Sequence, residues 1–127
     1  MSKPLNRAKR VLVVEDEKPL AYALQLKLTR LGVKTPVALS GEEALELLSR
    51  EKFDLIILDL VMPNIDGFAV LEELKSRKIA TPVIAISSLS QKEDIKRAKD
   101  LGVKDYFVES DTPIATIVER AKKILNE

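Results

Sequence analysis

Hydrophobic residues occur along this chain in short continuous runs that alternate with longer segments of helical periodicity. Runs in which every residue is apolar are typical of parallel strands that are covered on both faces of a sheet. We predict strands at about 10–15, 34–38, 54–59, 82–87 and 104–108. The alternation of strands with helices indicates an α/β fold in which helices cover a parallel sheet.

Residues that favour helix ends mark the first two helices. The first helix is predicted to end at Gly32, because glycine readily adopts the left-handed conformation that ends a helix. Its buried stripe is predicted to comprise Leu20, Leu24, Leu28 and Leu31. The second helix is predicted to begin at Ser40, whose hydroxyl can accept a hydrogen bond from the Glu43 amide.

The other three helices are predicted from similar signals. The third follows Asp66-Gly67, and the fourth is predicted to begin with a capping box at Ser90 to Glu93 and to end at Gly102. The fifth is predicted to begin at Thr112-Pro113. Its buried stripe is predicted to comprise Ile114, Ile117, Val118, Ala121 and Leu125.

Three acidic residues stand at the ends of two of the predicted strands. Right-handed crossovers and short connections favour the flavodoxin-like, doubly wound strand order 2-1-3-4-5, which places strands one and three side by side. Glu15 and Asp16 end the first strand and Asp59 ends the third. Carboxylates gathered in this way repel one another unless a hard cation or protons neutralise them. The sequence therefore predicts a Mg²⁺ site at the carboxyl edge of the sheet.

Length and composition narrow the class of protein. The 127 residues are enough for one domain, so we expect a single domain over 1–127 with no output domain. The 21 basic and 20 acidic residues are dispersed along the chain, which gives no sign of nucleic-acid binding. No apolar run is long enough to span a membrane and no secretory signal is evident, so we expect a cytoplasmic protein with no membrane partner.

The absence of cysteine and histidine excludes several kinds of chemistry. Disulfides, thiolate zinc sites, cysteine nucleophiles and histidine general bases are all ruled out. We therefore expect chemistry that depends on carboxylates, lysines, serines or a bound ion.

Four stretches of the sequence resemble the receiver domains of response regulators, in particular the single-domain chemotaxis type. They are residues 11–17, 58–67, 81–88 and 102–107. The resemblance implies that Asp59 accepts a phosphoryl group from a sensor histidine kinase or a His phosphotransfer protein. It also implies a Mg²⁺ ion held directly by Asp16, through water by Glu15, and by an Asp59 oxygen and the Val61 backbone carbonyl.

The resemblance assigns a conformational switch to two further residues. It implies that the Ser87 hydroxyl donates a hydrogen bond to the phosphoryl group and that the Tyr106 ring then moves inward. The surface of helix 4, strand 5 and helix 5 is then the expected site for a downstream protein, and homodimerisation there stays open. From the residues alone, Ser87 can equally bond the local backbone and Tyr106 can be a half-buried packing residue.

The sequence departs from the family at one position. Receiver domains have a Lys followed by Pro after strand 5, where this chain has Glu109-Ser110. In the family that Lys pairs with the acceptor carboxylate and then with a phosphoryl oxygen, so its replacement predicts a weakened switch. Lys104 is a substitute only if it turns into the pocket, whereas we expect it to face solvent. Alternatively, the Glu109 side chain turns outward and caps the fifth helix.

The sequence leaves three candidate functions. The first is a Mg²⁺-dependent phosphoacceptor, and the second is a pseudo-receiver that binds proteins without phosphorylation because Glu109 replaces the Lys. The third is an aspartyl-phosphate phosphohydrolase of the haloacid-dehalogenase kind. That enzyme needs an acid two residues after its nucleophile, and Val61 occupies that position. We therefore favour a receiver with phosphorylation weakened or lost, which by its resemblance is a signalling module and not an enzyme.

Overall fold

The computed structural model describes residues 9–127 and contains a five-stranded parallel sheet. The strands are β1 (Val11–Val14), β2 (Val37–Ala38), β3 (Leu55–Asp59), β4 (Val83–Ser87) and β5 (Asp105–Val108). Their order is β2-β1-β3-β4-β5, which confirms the predicted flavodoxin-like topology. Every residue of β1, β3 and β4 is buried, which explains why these strands are continuous apolar runs in the sequence.

Five helices cover the two faces of the sheet. They are α1 (Lys18–Thr29), α2 (Gly41–Arg50), α3 (Gly67–Ser76), α4 (Lys92–Asp100) and α5 (Ile114–Leu125). Buried residues of α1 and α5 pack with Val11, Val13 and Ile57 on one face, while those of α2, α3 and α4 pack on the other. Within residues 9–127, no helix is both long enough and apolar enough to cross a lipid bilayer.

Two predictions about helix ends are wrong. Leu31 is 44% exposed, because α1 ends at Thr29 and the chain turns away through Gly32, which has a φ of 84°. The capping box predicted at Ser90 to Glu93 does not form, because α4 begins one residue later than that box requires. Gln91 is the N-cap residue of α4, and no side chain caps the helix.

The second strand is shorter than predicted because of a proline. The amides of Val11 and Val13 donate to the carbonyls of Lys34 and Pro36, so this segment lies along β1 as expected. Pro36 has no amide hydrogen with which to donate back, so the regular ladder is reduced to Val37–Ala38.

Candidate functional site

Three carboxylates converge at the carboxyl edge of the sheet, and we call Glu15, Asp16 and Asp59 the acidic pocket. Glu15 and Asp59 follow Val14 and Leu58, which are paired neighbours on β1 and β3. One carboxylate oxygen of each of the three residues lies within 4.8 Å of the others. Glu15 and Asp59 are only 2% and 8% exposed, and Asp16 is more accessible to solvent. The structure therefore brings together the three acids that the strand order predicted to be neighbours.

Backbone amides hold two of these carboxylates in place. The Val61 amide donates to Asp59 Oδ1 at 3.0 Å, and the Glu17 amide donates to Glu15 Oε2 at 3.0 Å. The Val61 side chain is 46% exposed, so the residue presents its backbone to Asp59 and its side chain to solvent. The acidic pocket is thus fixed by main chain on both strands that form it.

Burial raises the pKa of both Glu15 and Asp59 above the ordinary range of a carboxyl group. The negative charge of Asp59 further raises the pKa of Glu15, and that of Asp16 further raises the pKa of Asp59, whereas the two backbone amides oppose these shifts. The pocket therefore favours either protons or a bound cation. Its donors are hard oxygen atoms at close spacing, which fit the coordination chemistry of Mg²⁺.

Ser87 and Tyr106 are linked through the backbone of Leu89. Ser87 is fully buried at the end of β4, and its Oγ accepts a hydrogen bond from the Leu89 amide at 3.0 Å. The Tyr106 hydroxyl donates to the Leu89 carbonyl at 2.7 Å. Ser87 thus has the local backbone bond that the sequence left open, and Tyr106 is partly buried against the core with its hydroxyl bonded. Their part in switching stays a prediction.

Glu109 lies within the electrostatic field of the acidic pocket. It follows Val108, which pairs with Ser87 on the neighbouring strand, so it stands at the same edge of the sheet as Asp59. Burial raises the pKa of Glu109, and the charges of Glu17 and Asp16 raise it further. No side chain caps α5, so Glu109 does not have the helix-capping role considered above.

Comparison with known proteins identifies the family. The model of the response regulator receiver domain matches residues 11–120. The chain belongs to this family. Receiver domains are regulatory signalling modules of two-component response regulators, and they bind Mg²⁺ at an acidic pocket.

Both curated relatives and solved structures resemble this receiver domain. The alkaline phosphatase synthesis transcriptional regulatory protein PhoP of Bacillus subtilis (strain 168) is 35% identical over 117 residues, which are 92% of this chain and 48% of that protein. The Regulator of RpoS of Escherichia coli (strain K12) is 39% identical over 108 residues, which are 85% of this chain and 32% of that protein. The chain therefore spans about half, or less, of the length of these relatives.

Among solved structures, the Francisella response regulator 1452 receiver domain has a TM-score of 0.85 and 34% identity, covering 93% of this chain and 97% of that one. The response regulator TrrA from Thermotoga maritima, solved in complex with Mg(2+)-BeF, has a TM-score of 0.79 and 31% identity, covering 91% and 98%. These likenesses extend over almost the whole receiver domain.

This receiver domain differs from the family pattern in the charges around its pocket. In the described part of the chain, no Lys or Arg forms an ion pair with the acidic pocket or with Glu17 and Glu109, which we call the pocket rim. Lys104 Nζ instead lies 2.9 Å from Glu127 Oε1, so it does not replace the family Lys. Among residues 9–127, five carboxylates are therefore gathered at this edge with no Lys or Arg paired to them.

The sequence interpretation missed the close approach of Gly67 to the acceptor strand. A Cβ atom at Gly67 would lie 2.5 Å from the Leu60 Cα and closer still to the Asp59 carbonyl oxygen. The Asp66-Gly67 pair indicated only a helix start, which is confirmed because the Asp66 carboxylate accepts from the Ala69 amide at 2.9 Å. Gly67 also allows α3 to pack directly on the backbone that carries Asp59.

We expect Gly67→Ala to destabilise the protein by about 2–3 kcal/mol, because the new methyl group meets backbone atoms that cannot move aside. Alanine is the better helix former by about 1 kcal/mol, so any net loss reports the steric conflict. Urea unfolding measures the change in the free energy of unfolding. Gly32→Ala is the control, since a Cβ there meets nothing within 4 Å and only the positive φ is unfavourable. A Gly67→Ala protein as stable as the parent would contradict the prediction.

Proposed function

We propose that this receiver domain is a Mg²⁺-dependent phosphoacceptor of two-component signalling, with Asp59 as the acceptor and with phosphorylation weakened by Glu109. The observation that carries the proposal is the acidic pocket, in which Asp59 stands at the end of β3 beside Glu15 and Asp16. Asp16 would ligate the ion directly and Glu15 would act through water, while an Asp59 oxygen and the Val61 carbonyl would supply the remaining protein ligands.

The proposed reaction needs one nucleophile and compensation of negative charge. An oxygen of Asp59 forms a bond to phosphorus while the P–N bond of the donor phosphohistidine breaks, and the electron pair of that bond returns to the imidazole. The donor is a sensor histidine kinase or a His phosphotransfer protein, because this chain has no histidine of its own. Mg²⁺ supplies positive charge at the phosphoryl oxygens. The Val61 amide keeps the Asp59 carboxylate oriented, and Glu15 and Asp16 stand beside it.

Ser87 and Tyr106 carry the proposed response. When the Ser87 hydroxyl turns to donate to a phosphoryl oxygen, it gives up the hydrogen bond from the Leu89 amide. The Leu89 carbonyl accepts the hydrogen bond from the Tyr106 hydroxyl, so the segment after β4 transmits the change to Tyr106. The surface of α4, β5 and α5 is the proposed contact for a downstream protein or a second copy of the chain. Neither nucleic acid nor a membrane is a proposed partner, and the proposed location is the cytoplasm.

A second function is supported by the charges at the pocket. Within residues 9–127 no Lys or Arg pairs with the acidic pocket or the pocket rim, so nothing there offsets the repulsion between Glu109 and a phosphoryl donor, which is itself negatively charged. This observation favours a pseudo-receiver, a protein-binding module whose conformation does not depend on phosphorylation. The two functions differ in whether Asp59 accepts phosphate at all.

Intact-mass measurement after incubation with acetyl phosphate and Mg²⁺ separates the two functions. The phosphoacceptor gains the mass of one phosphoryl group slowly, and it gains none when EDTA replaces Mg²⁺. Asp59→Asn is the matched control and gains none under either condition, because the nucleophilic oxygen is lost. A parent protein that stays unmodified throughout a long incubation would establish the pseudo-receiver instead.

A further inference from the structure

The carboxylates at the carboxyl edge need positive charge from outside the protein. In the family, the Lys at the position of Glu109 supplies one fixed positive charge. Here Glu109 adds a negative charge instead, and within residues 9–127 no Lys or Arg pairs with the acidic pocket or the pocket rim. A cation in the acidic pocket would therefore attract Glu109, whereas a phosphoryl group on Asp59 would repel it.

Glu109 is the first residue of a short turn that few hydrogen bonds hold in place. Glu109–Asp111 form a single 3₁₀ turn with no buried residue. The Thr112 hydroxyl donates to the Val108 carbonyl at 2.8 Å, and the Thr112 amide donates to the Glu109 carbonyl at 3.4 Å, which is a long hydrogen bond. Few contacts therefore oppose movement of the turn with its carboxylate.

The same turn is continuous with the strand that carries Tyr106. Tyr106 lies three residues before Glu109, and its hydroxyl donates a hydrogen bond to the Leu89 carbonyl. Val108, which precedes the turn, pairs with Ser87. A displacement of the turn is thus transmitted along β5 to the residue that shapes the proposed partner surface.

We infer that Glu109 makes this receiver a charge-inverted switch, in which a divalent cation in the acidic pocket attracts Glu109 and its turn as a phosphoryl group attracts the family Lys. The inference rests on the metal site of the proposed function, but it requires no phosphoryl transfer. The regulating ligand is the cation itself, and its occupancy changes the surroundings of Tyr106.

The two tyrosines of the chain allow a direct test. The protein has no tryptophan, so Tyr22→Phe leaves Tyr106 as the single strong fluorophore. Tyr22 is an exposed residue of α1, which makes this a mild substitution. Mg²⁺ is titrated into the Tyr22→Phe protein in the absence of any phosphodonor, and Tyr106 fluorescence and calorimetric affinity are both measured. We expect a saturable fluorescence change with the same midpoint as the calorimetric binding.

Variants of the turn identify the carboxylate that responds to Mg²⁺ and changes the fluorescence of Tyr106. In the Tyr22→Phe background, Glu109→Gln should bind Mg²⁺ at least about tenfold more weakly and lose the fluorescence change, because a neutral side chain of the same size is not attracted. Glu109→Lys should bind more weakly still. Asp111→Asn removes the same charge from the exposed end of the same turn and should behave as the parent.

Each result decides a different claim. Equal Mg²⁺ affinities for Glu109→Gln and Asp111→Asn would overturn the part assigned to Glu109 and leave the metal site intact. Mg²⁺ saturation without any change in Tyr106 fluorescence would overturn the switch. A parent that binds no Mg²⁺ would remove both this inference and the metal site. The intact-mass assay separately decides whether Asp59 accepts phosphate.

Discussion

Glu109→Lys should raise the rate at which acetyl phosphate phosphorylates Asp59 by on the order of a hundredfold at saturating Mg²⁺. Two like charges about 5 Å apart repel by roughly 3 kcal/mol at an effective dielectric constant near 20. A lowering of the activation free energy by about 1.4 kcal/mol corresponds to a tenfold faster reaction. The substitution removes the repulsion between Glu109 and the incoming phosphoryl group and restores the cation that the family uses.

Initial rates from intact-mass spectra measure this effect. Glu109→Gln should give an intermediate rate, since it removes the negative charge without adding a positive one. Asp111→Lys is the positional control, because it introduces the same cation on the same turn but at its exposed end. If Glu109→Lys is no faster than Asp111→Lys, the charge at position 109 does not limit the reaction and some other feature of the pocket blocks it.

The fold and the acidic pocket follow from features that are local in sequence. β1, β3 and β4 are buried on both faces, so their apolar runs predict parallel strands directly. Once the strand order is fixed, the carboxyl ends of adjacent strands must meet, and this places Glu15 beside Asp59 whatever their side-chain rotamers. Such predictions succeed because they depend on backbone topology and not on the rotamer of any side chain.

The features that sequence reasoning missed depend on contacts between distant segments. The hydroxyl of Tyr106 is held by the carbonyl of Leu89, and no pattern around Tyr106 specifies which backbone group faces it. The tight packing of Gly67 on Asp59 depends on the path of the intervening loop. The predicted start of α4 is wrong because Ser90 and Glu93 are a favourable capping pair, whereas the helix uses the next residue, Gln91, as its N-cap. Propensity alone does not decide between neighbouring caps.

In the absence of divalent ions, we expect the protein to lose on the order of 5 kcal/mol of stability as the pH rises from about 5 to about 9. Burial is the main cause that raises the pKa of Glu15 to about 9 and the pKa of Asp59 to about 7. In the unfolded chain both carboxyl groups titrate at about 4. Between these values the native state holds more protons than the unfolded state, so the free energy of unfolding falls as the pH rises. The raised pKa of Glu109 acts in the same direction.

Urea unfolding followed by circular dichroism, in EDTA at several pH values, measures the slope of the unfolding free energy against pH. Asp59→Asn should flatten it, because one buried ionisation is removed. Glu46→Gln removes a carboxylate from the exposed face of α2 and should leave the slope unchanged. Stability that rises across this pH range, or equal slopes for the two variants, would contradict the assignment of the effect to the acidic pocket.

Mg²⁺ should reverse the loss, and more strongly at high pH. The ion binds the deprotonated carboxylates, so protons compete with it, and its apparent affinity increases as the pH passes through the raised pKa values of Asp59 and Glu15. At about a hundred times its dissociation constant a ligand stabilises the native state by about 2.7 kcal/mol. The stability gained from Mg²⁺ should therefore be largest where the ion-free protein is weakest. Stabilisation by Mg²⁺ that is the same at low and high pH would show that the ion binds outside these carboxylates.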